Sequence, residues 1–167
     1  MQTTNDRATA FVKYLSDHSE DRGMMADLRR GFSESQAHRA WPYLASWCDL
    51  THSRERAVFQ TVAAAFAHHP VVAGEGDLGS VLRRIAMGDK RGQEGLATFD
   101  GHFRRLLVCD SVEELCDHLR GPLRAAAAKG IPVNYEQMFN DLWYWGEKVR
   151  LRWAASYWGE AREGGEA

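Results

Sequence analysis

The sequence predicts an all-α protein, a helical bundle of about eight helices, on three observations. Apolar residues recur at three- and four-residue spacings through most of the chain, capping residues precede nearly every such segment, and no apolar–polar alternation exceeds four residues. Asn5 is placed to cap a first helix at about 6–19, with Ala8, Phe11, Val12 and Leu15 on its apolar side. A shorter helix at about 24–30 ends at Gly31. Ser35 opens a third at about 36–47, which Pro42 should break or kink because proline removes a backbone donor. Ser53 caps a fourth at about 54–68, with Val58, Val62, Ala65 and Phe66 inward. Pro70 and the stretch GEGDLG mark a lobe boundary near 70–77.

The second half restarts with a helix at 78–87, followed by a turn, GDKRG, at 88–92. The next helix begins at 93 or 98 and runs to 108. Ser111, with Glu114 three residues on, reads as a capping box for a helix to about 129, which Pro122 should kink. Gly130 and Pro132 stop it, and Asn134 caps a final helix from 135 to about 157. The expected organisation is an N-terminal lobe at 1–73, a C-terminal lobe at 78–158 and a frayed tail at 159–167.

Composition narrows the function classes. Hydrophobic residues make up 44% of the 167 and charged ones 26%, as in ordinary globular proteins. No apolar run approaches the roughly 20 residues of a membrane helix. The first residues lack a basic start before an apolar core, so the expected compartment is the cytoplasm, with no membrane partner. Cys48, Cys109 and Cys116 are odd in number and contain no Cys-x-x-Cys pair, so reduced thiols are expected. The net charge is −2, from 21 cations and 23 anions. A protein that grips nucleic acid unaided usually has a basic excess. Any such surface here requires charge segregated onto one face.

Helical arithmetic at 100° per residue locates the cations. On the 78–87 helix Arg83 and Arg84 fall roughly opposite Leu78, Val81, Leu82 and Ile85. On the next, Phe99, Phe103 and Leu106 point inward and send Arg104 and Arg105 outward. Arg120 and Arg124 share a flank, as do Lys148 and Arg152, while Arg150 borders the core stripe. Arg29 and Arg30 end the second helix, where they complement its dipole. Two readings stay open. These are solvated faces offset by Glu113, Glu114, Asp117, Asp89 and Asp100, or several helices align them into one stripe for a phosphate backbone.

The last helix carries a main apolar stripe of Tyr135, Met138, Phe139, Leu142, Trp145, Val149, Trp153 and Tyr157. A second stripe, Tyr144, Leu151 and Trp158, recurs every seven residues. It belongs either to a helix sandwiched in its own bundle or to a contact surface for another subunit.

No reaction centre is legible. The seven histidines show no His-Glu-x-x-His motif, no zinc spacing with the cysteines and no His-Asp dipeptide, so no metal site and no cofactor are expected. Neither Gly-x-x-x-x-Gly-Lys nor Gly-x-Ser-x-Gly occurs, and Glu113 and Glu114 stabilise a helix start. No enzyme activity is expected.

The order of these pieces resembles one known family, the CasB-type small subunit of Cascade, the CRISPR effector complex of type I-E. The anchors are Leu28-Arg29-Arg30-Gly31, Leu78-Gly79, Phe103-Arg104-Arg105-Leu106-Leu107, Leu115, Leu119-Arg120, Gly130-Ile131-Pro132-Val133, Asp141-Leu142, Trp145, Val149-Arg150 and Trp153. The resemblance implies a non-enzymatic, all-helical subunit that pairs with a second copy of itself. It implies contacts with the large subunit, the repeated backbone subunit, guide RNA and target DNA. Its basic surface would steady the R-loop while base pairing reads sequence. Carried over, the backbone-contacting cations are Arg29, Arg30, Arg104, Arg105, Arg120, Lys148 and Arg150, with Arg54, Arg84, Lys90, Arg91 and Arg124 as further candidates. The sequence departs from the family at Gly101-His102, where more positive charge is expected, and at Glu147, which interrupts the basic run. The alternative is a stand-alone helical adaptor that binds a protein partner through Tyr144, Leu151 and Trp158.

Overall fold

A computed structural model describes residues 3–88 and 93–159. It is all-α: nine helices lie among the described residues, with two 3₁₀ turns and a lone parallel bridge between Val72 and Val133. Lys90 and Arg91 lie outside the described residues, as does the expected frayed tail beyond Gly159.

Helix α1 spans Thr4–Asp17. Its cap is Thr3, not Asn5, because the Thr3 hydroxyl accepts from the Asp6 N–H while the Asp6 carboxylate takes the Thr3 N–H. Asp21 caps α2, Arg22–Arg29, and a 3₁₀ turn, Arg30–Phe32, follows. The expected third helix is not continuous. It resolves into a 3₁₀ turn, Ala37–Arg39, and one turn of α3, Trp41–Leu44, with Pro42 in its first turn, where a missing N–H costs nothing. Helix α4, Ser53–His68, is capped by the His52 ring, and its residues from Val58 to Ala67, except half-buried Gln60, are buried.

Asp77 caps α5, Leu78–Met87, through the Ser80 N–H. Helix α6 is Gln93–Leu107, and α7, Val112–Ala128, runs on through Pro122. Gly130 follows at φ 66, a left-handed turn that glycine adopts without steric cost. The expected final helix is two helices, α8, Tyr135–Trp143, and α9, Glu147–Trp158. The break falls at Tyr144–Gly146, where Gly146 is extended. Apolar spacing hides it, since Leu142, Trp145 and Val149 keep three- and four-residue steps across the gap.

One apolar core runs from Ala8 to Tyr157. Helix α4 packs against α2, α7 and α8, while α5 packs against α6, α7 and α9. Phe11, Phe59 and Phe139 meet at centroid distances of 4.7 and 4.9 Å on one side. Phe103 and Tyr157 stack at 4.0 Å on the other. The 70–77 connection is tied down by backbone bonds from Ala73 N to the Val133 carbonyl and from Val133 N to the Val71 carbonyl. Among the described residues no helix is long and apolar enough to cross a membrane.

Candidate nucleic-acid interface

The burial of α5 corrects one expectation. Arg83 does not point outward; it is 8% exposed, and its Nη1 donates to the Tyr157 carbonyl at 2.7 Å. Helices α6, α7 and α9 surround α5, which leaves Arg84 as its exposed cation. Arg84 stands on a surface groove of about 560 Å³, together with Ser80, Arg83, Met87, Gly88, Lys129 and Ile131. Lys129 also walls a second hollow, of about 270 Å³, with Thr98, Phe99 and His102. His102 in turn joins Arg105, Leu106, His118 and Pro122 around a third. The first two hollows share Lys129 and the last two share His102, so Arg84, Lys129, His102 and Arg105 line three neighbouring hollows on α5, α6 and α7. Gly88, the last described residue before the segment that contains Lys90 and Arg91, lines the first groove.

A second group forms where α2, α4 and α7 meet. Arg29 Nε donates to the Ala67 carbonyl at 2.9 Å. The Arg124 guanidinium lies 5.6 Å from the centroid of Phe32, whose ring stacks on His68 at 5.2 Å. Burial first, then the charges of Arg124 and Arg29, push the His68 pKa below the ordinary histidine value. The native state therefore binds fewer protons than the unfolded chain between that depressed pKa and the ordinary one. Stability is expected to fall as pH falls through this window and to level off below it. Thermal unfolding followed from neutral to mildly acidic pH checks this, and His68→Gln should flatten the slope. An unchanged slope would show that His68 does not set it.

Four of the remaining cations are held individually. Arg104 Nε donates to Asp100 at 2.5 Å, and its guanidinium covers Trp158 at 5.0 Å. That hydrogen bond, more than the one from the Trp158 indole at 2.9 Å, keeps the Asp100 pKa below the usual carboxylate range. Arg120 pairs with Asp117 at 3.0 Å. Arg54 donates to the Trp143 carbonyl and faces the same indole at 5.8 Å. Arg150 donates to the Cys109 carbonyl at 2.7 Å, faces Trp145 at 5.3 Å and stands 4.0 Å from Asp110. Arg30, Arg84, Arg105 and Lys148 are exposed and make no ion pair among the described residues. Lys129 is absent from the cations that helix periodicity picks out, because its place beside the first two hollows follows from contacts between α5, α6 and α7 that no single helix encodes.

Of the second aromatic stripe, Tyr144 is 61% exposed and Leu151 62%. Tyr144 lies in the break between α8 and α9, and its hydroxyl donates to Thr4 at 2.9 Å. Trp158 is half-buried against Phe103, 5.0 Å between centroids. Burial raises the Cys48 and Cys116 thiols to about 11 and about 12, and all three cysteines are free.

Fold and surface together define an all-helical protein that is acidic overall and exposes arginines on several of its helices. The chain belongs to the CRISPR-associated protein Cse2 family, which matches residues 24–158. Its fold is similar to that of a chain in a CRISPR RNA-guided surveillance complex, with a TM-score of 0.75 at 20% identity over 98% of this chain and 100% of that one. CasB from Thermus thermophilus is similar too, with a TM-score of 0.71 at 21% identity over 95% of this chain and 99% of that one. No curated protein matches the sequence.

Proposed function

We propose that this chain is a non-catalytic small subunit of an RNA-guided CRISPR interference complex of the Cascade type. It binds nucleic-acid backbone without reading sequence and steadies the R-loop. The observation that supports this reading is the set of neighbouring hollows lined by Arg84, Lys129, His102 and Arg105, with Arg84 and Arg105 exposed. Guanidinium and ammonium groups along a groove suit phosphates spaced along a strand, and contacts of this kind carry no base information. An R-loop exchanges one duplex for another at nearly equal stability, so a few phosphate contacts decide whether it persists. The net charge of −2 fits a subunit that is held in place by partners and need not capture DNA alone. The proposed partners are the large subunit, the repeated backbone subunit, a second copy of the chain, guide RNA and target DNA, in the cytoplasm. Tyr144 and Leu151 supply exposed apolar area for a neighbouring subunit.

Family membership supports the assignment to the complex, and the geometry chooses the variant that tests it. Arg104 is a poor probe because it also covers Trp158 and binds Asp100. Arg84 and Arg105 are exposed and hold no described partner. An Arg84→Ala/Arg105→Ala subunit is expected to assemble with its partners and keep its helical circular dichroism, while the R-loop dissociates several-fold faster. Equal dissociation rates for the two complexes would count against the proposed role.

A further inference from the structure

The α6–α7 corner holds three potential metal ligands beside the third hollow, which His118 also lines. Cys109 lies in the connection between α6 and α7, while Glu114 and His118 stand one turn apart on α7. Each offers one ligand atom, and the three atoms lie within 4.8 Å of one another. His118 Nε2 is 3.9 Å from Glu114 Oε1. We propose that Cys109, Glu114 and His118 form a three-ligand zinc site, with solvent in the fourth position.

The ligand chemistry selects the ion. Thiolate and imidazole suit borderline-soft Zn²⁺, whereas Mg²⁺ and Ca²⁺ take oxygen donors. Metal–ligand bonds of about 2.0–2.3 Å place tetrahedral ligand atoms roughly 3.5 Å apart. The longest separation therefore has to contract by up to about 1.3 Å, and the half-exposed Glu114 and His118 side chains have room to rotate. Cys109 is already fixed. It is 1% exposed, and its carbonyl accepts from both Trp145 Nε1 at 2.8 Å and Arg150 Nη2 at 2.7 Å. Its thiol donates to the Arg105 carbonyl at 3.3 Å, a weak bond that zinc replaces when the proton leaves to solvent. Charge also balances. A thiolate, a carboxylate and a neutral imidazole cancel the two charges of zinc, while Arg150 faces Asp110 instead. The ion would pin α7 to the end of α6, the segment that carries Arg105.

The test uses the whole purified chain without nucleic acid, so its outcome is independent of the R-loop reading. Zinc is titrated in competition with a chromophoric chelator, and cobalt(II) is substituted as a spectroscopic probe. The expected result is one equivalent bound, with the thiolate charge-transfer and tetrahedral ligand-field bands of a cysteine-bound cobalt. His118→Gln and Glu114→Gln change exposed side chains and should each weaken zinc by at least about tenfold. Cys109→Ser should remove the thiolate band. Absence of that band, or unchanged affinity in both α7 variants, overturns the site.

Discussion

Replacing Asp141 by alanine is expected to destabilise the protein by about 3 kcal/mol, in the range seen when one partner of a buried charge network is removed. Asp141 is 1% exposed, and three donors converge on its carboxylate. Gln137 Nε2 and Arg152 Nη1 reach one oxygen at 2.9 and 2.6 Å, and Trp153 Nε1 reaches the other at 2.9 Å. Arg152 can turn to solvent when the carboxylate is lost, since its side chain is 45% exposed. The Trp153 indole N–H cannot, because that residue is 0% exposed, and an orphaned buried donor costs about 1–3 kcal/mol by itself. For a chain of this length the melting temperature should drop by roughly 6–12 °C. In a Trp153→Phe background the same substitution should cost clearly less, because no orphaned N–H remains. Equal losses in both backgrounds would refute the indole as the cause. The network joins α8 to α9 across the Tyr144–Gly146 break, so it replaces the helical hydrogen bonds that the break gives up.

The second large effect is expected at Gly79, where α5 meets the backbone of α9 at Trp153. A Cβ built there would lie 2.8 Å from the Trp153 Cα and closer still to the Trp153 carbonyl oxygen. Alanine in a helix interior normally gains about 1 kcal/mol over glycine. Here the methyl meets backbone rather than a movable side chain, and overpacking of that kind costs about 1–3 kcal/mol or more. The clash should win, for a net loss of about 2 kcal/mol once α9 has been pushed off α5. Urea denaturation measures it as a lower midpoint at unchanged slope. A Gly79→Ala protein as stable as the parent would mean that α5 and α9 do not approach so closely.

The sequence was most legible where local signals agree. The apolar set Leu78, Val81, Leu82 and Ile85 and the turn from Gly88 mark α5, and its bounds are those expected. Ser111 likewise places the start of α7. The reading failed where a local rule was right about residue type but silent about context. Pro42 signals an interruption, yet nothing in the sequence says that it starts a single turn. The α8–α9 break is masked because its aromatics continue the helical spacing, and Gly146 was the sole signal against it. Arg83 looked solvent-facing on one helix but is enclosed by three others.

Candidate residues were legible by type and not by grouping. Arginines opposite an apolar stripe are easy to find, and Arg84 and Arg105 are exposed as helical arithmetic requires. The hollows they line share Lys129 and His102 as walls, one at the C-terminal cap of α7 and one at a position that looked like a gap in the basic surface. Pairing with acidic neighbours was the open alternative, and it describes Arg104 and Arg120 better than Arg84 and Arg105.

Salt dependence tests the central claim most directly. Target binding by the assembled complex is measured over a series of salt concentrations, with the parent subunit and with Arg84→Ala/Arg105→Ala. Each lost phosphate contact should lower the slope of log affinity against log salt by about 0.7–0.9. The account predicts a slope shallower by about 1.5, and binding roughly tenfold weaker at low salt, on the order of 1.4 kcal/mol. Parallel lines for the two complexes would contradict it, because the guanidinium groups would then be displacing no counterions from DNA.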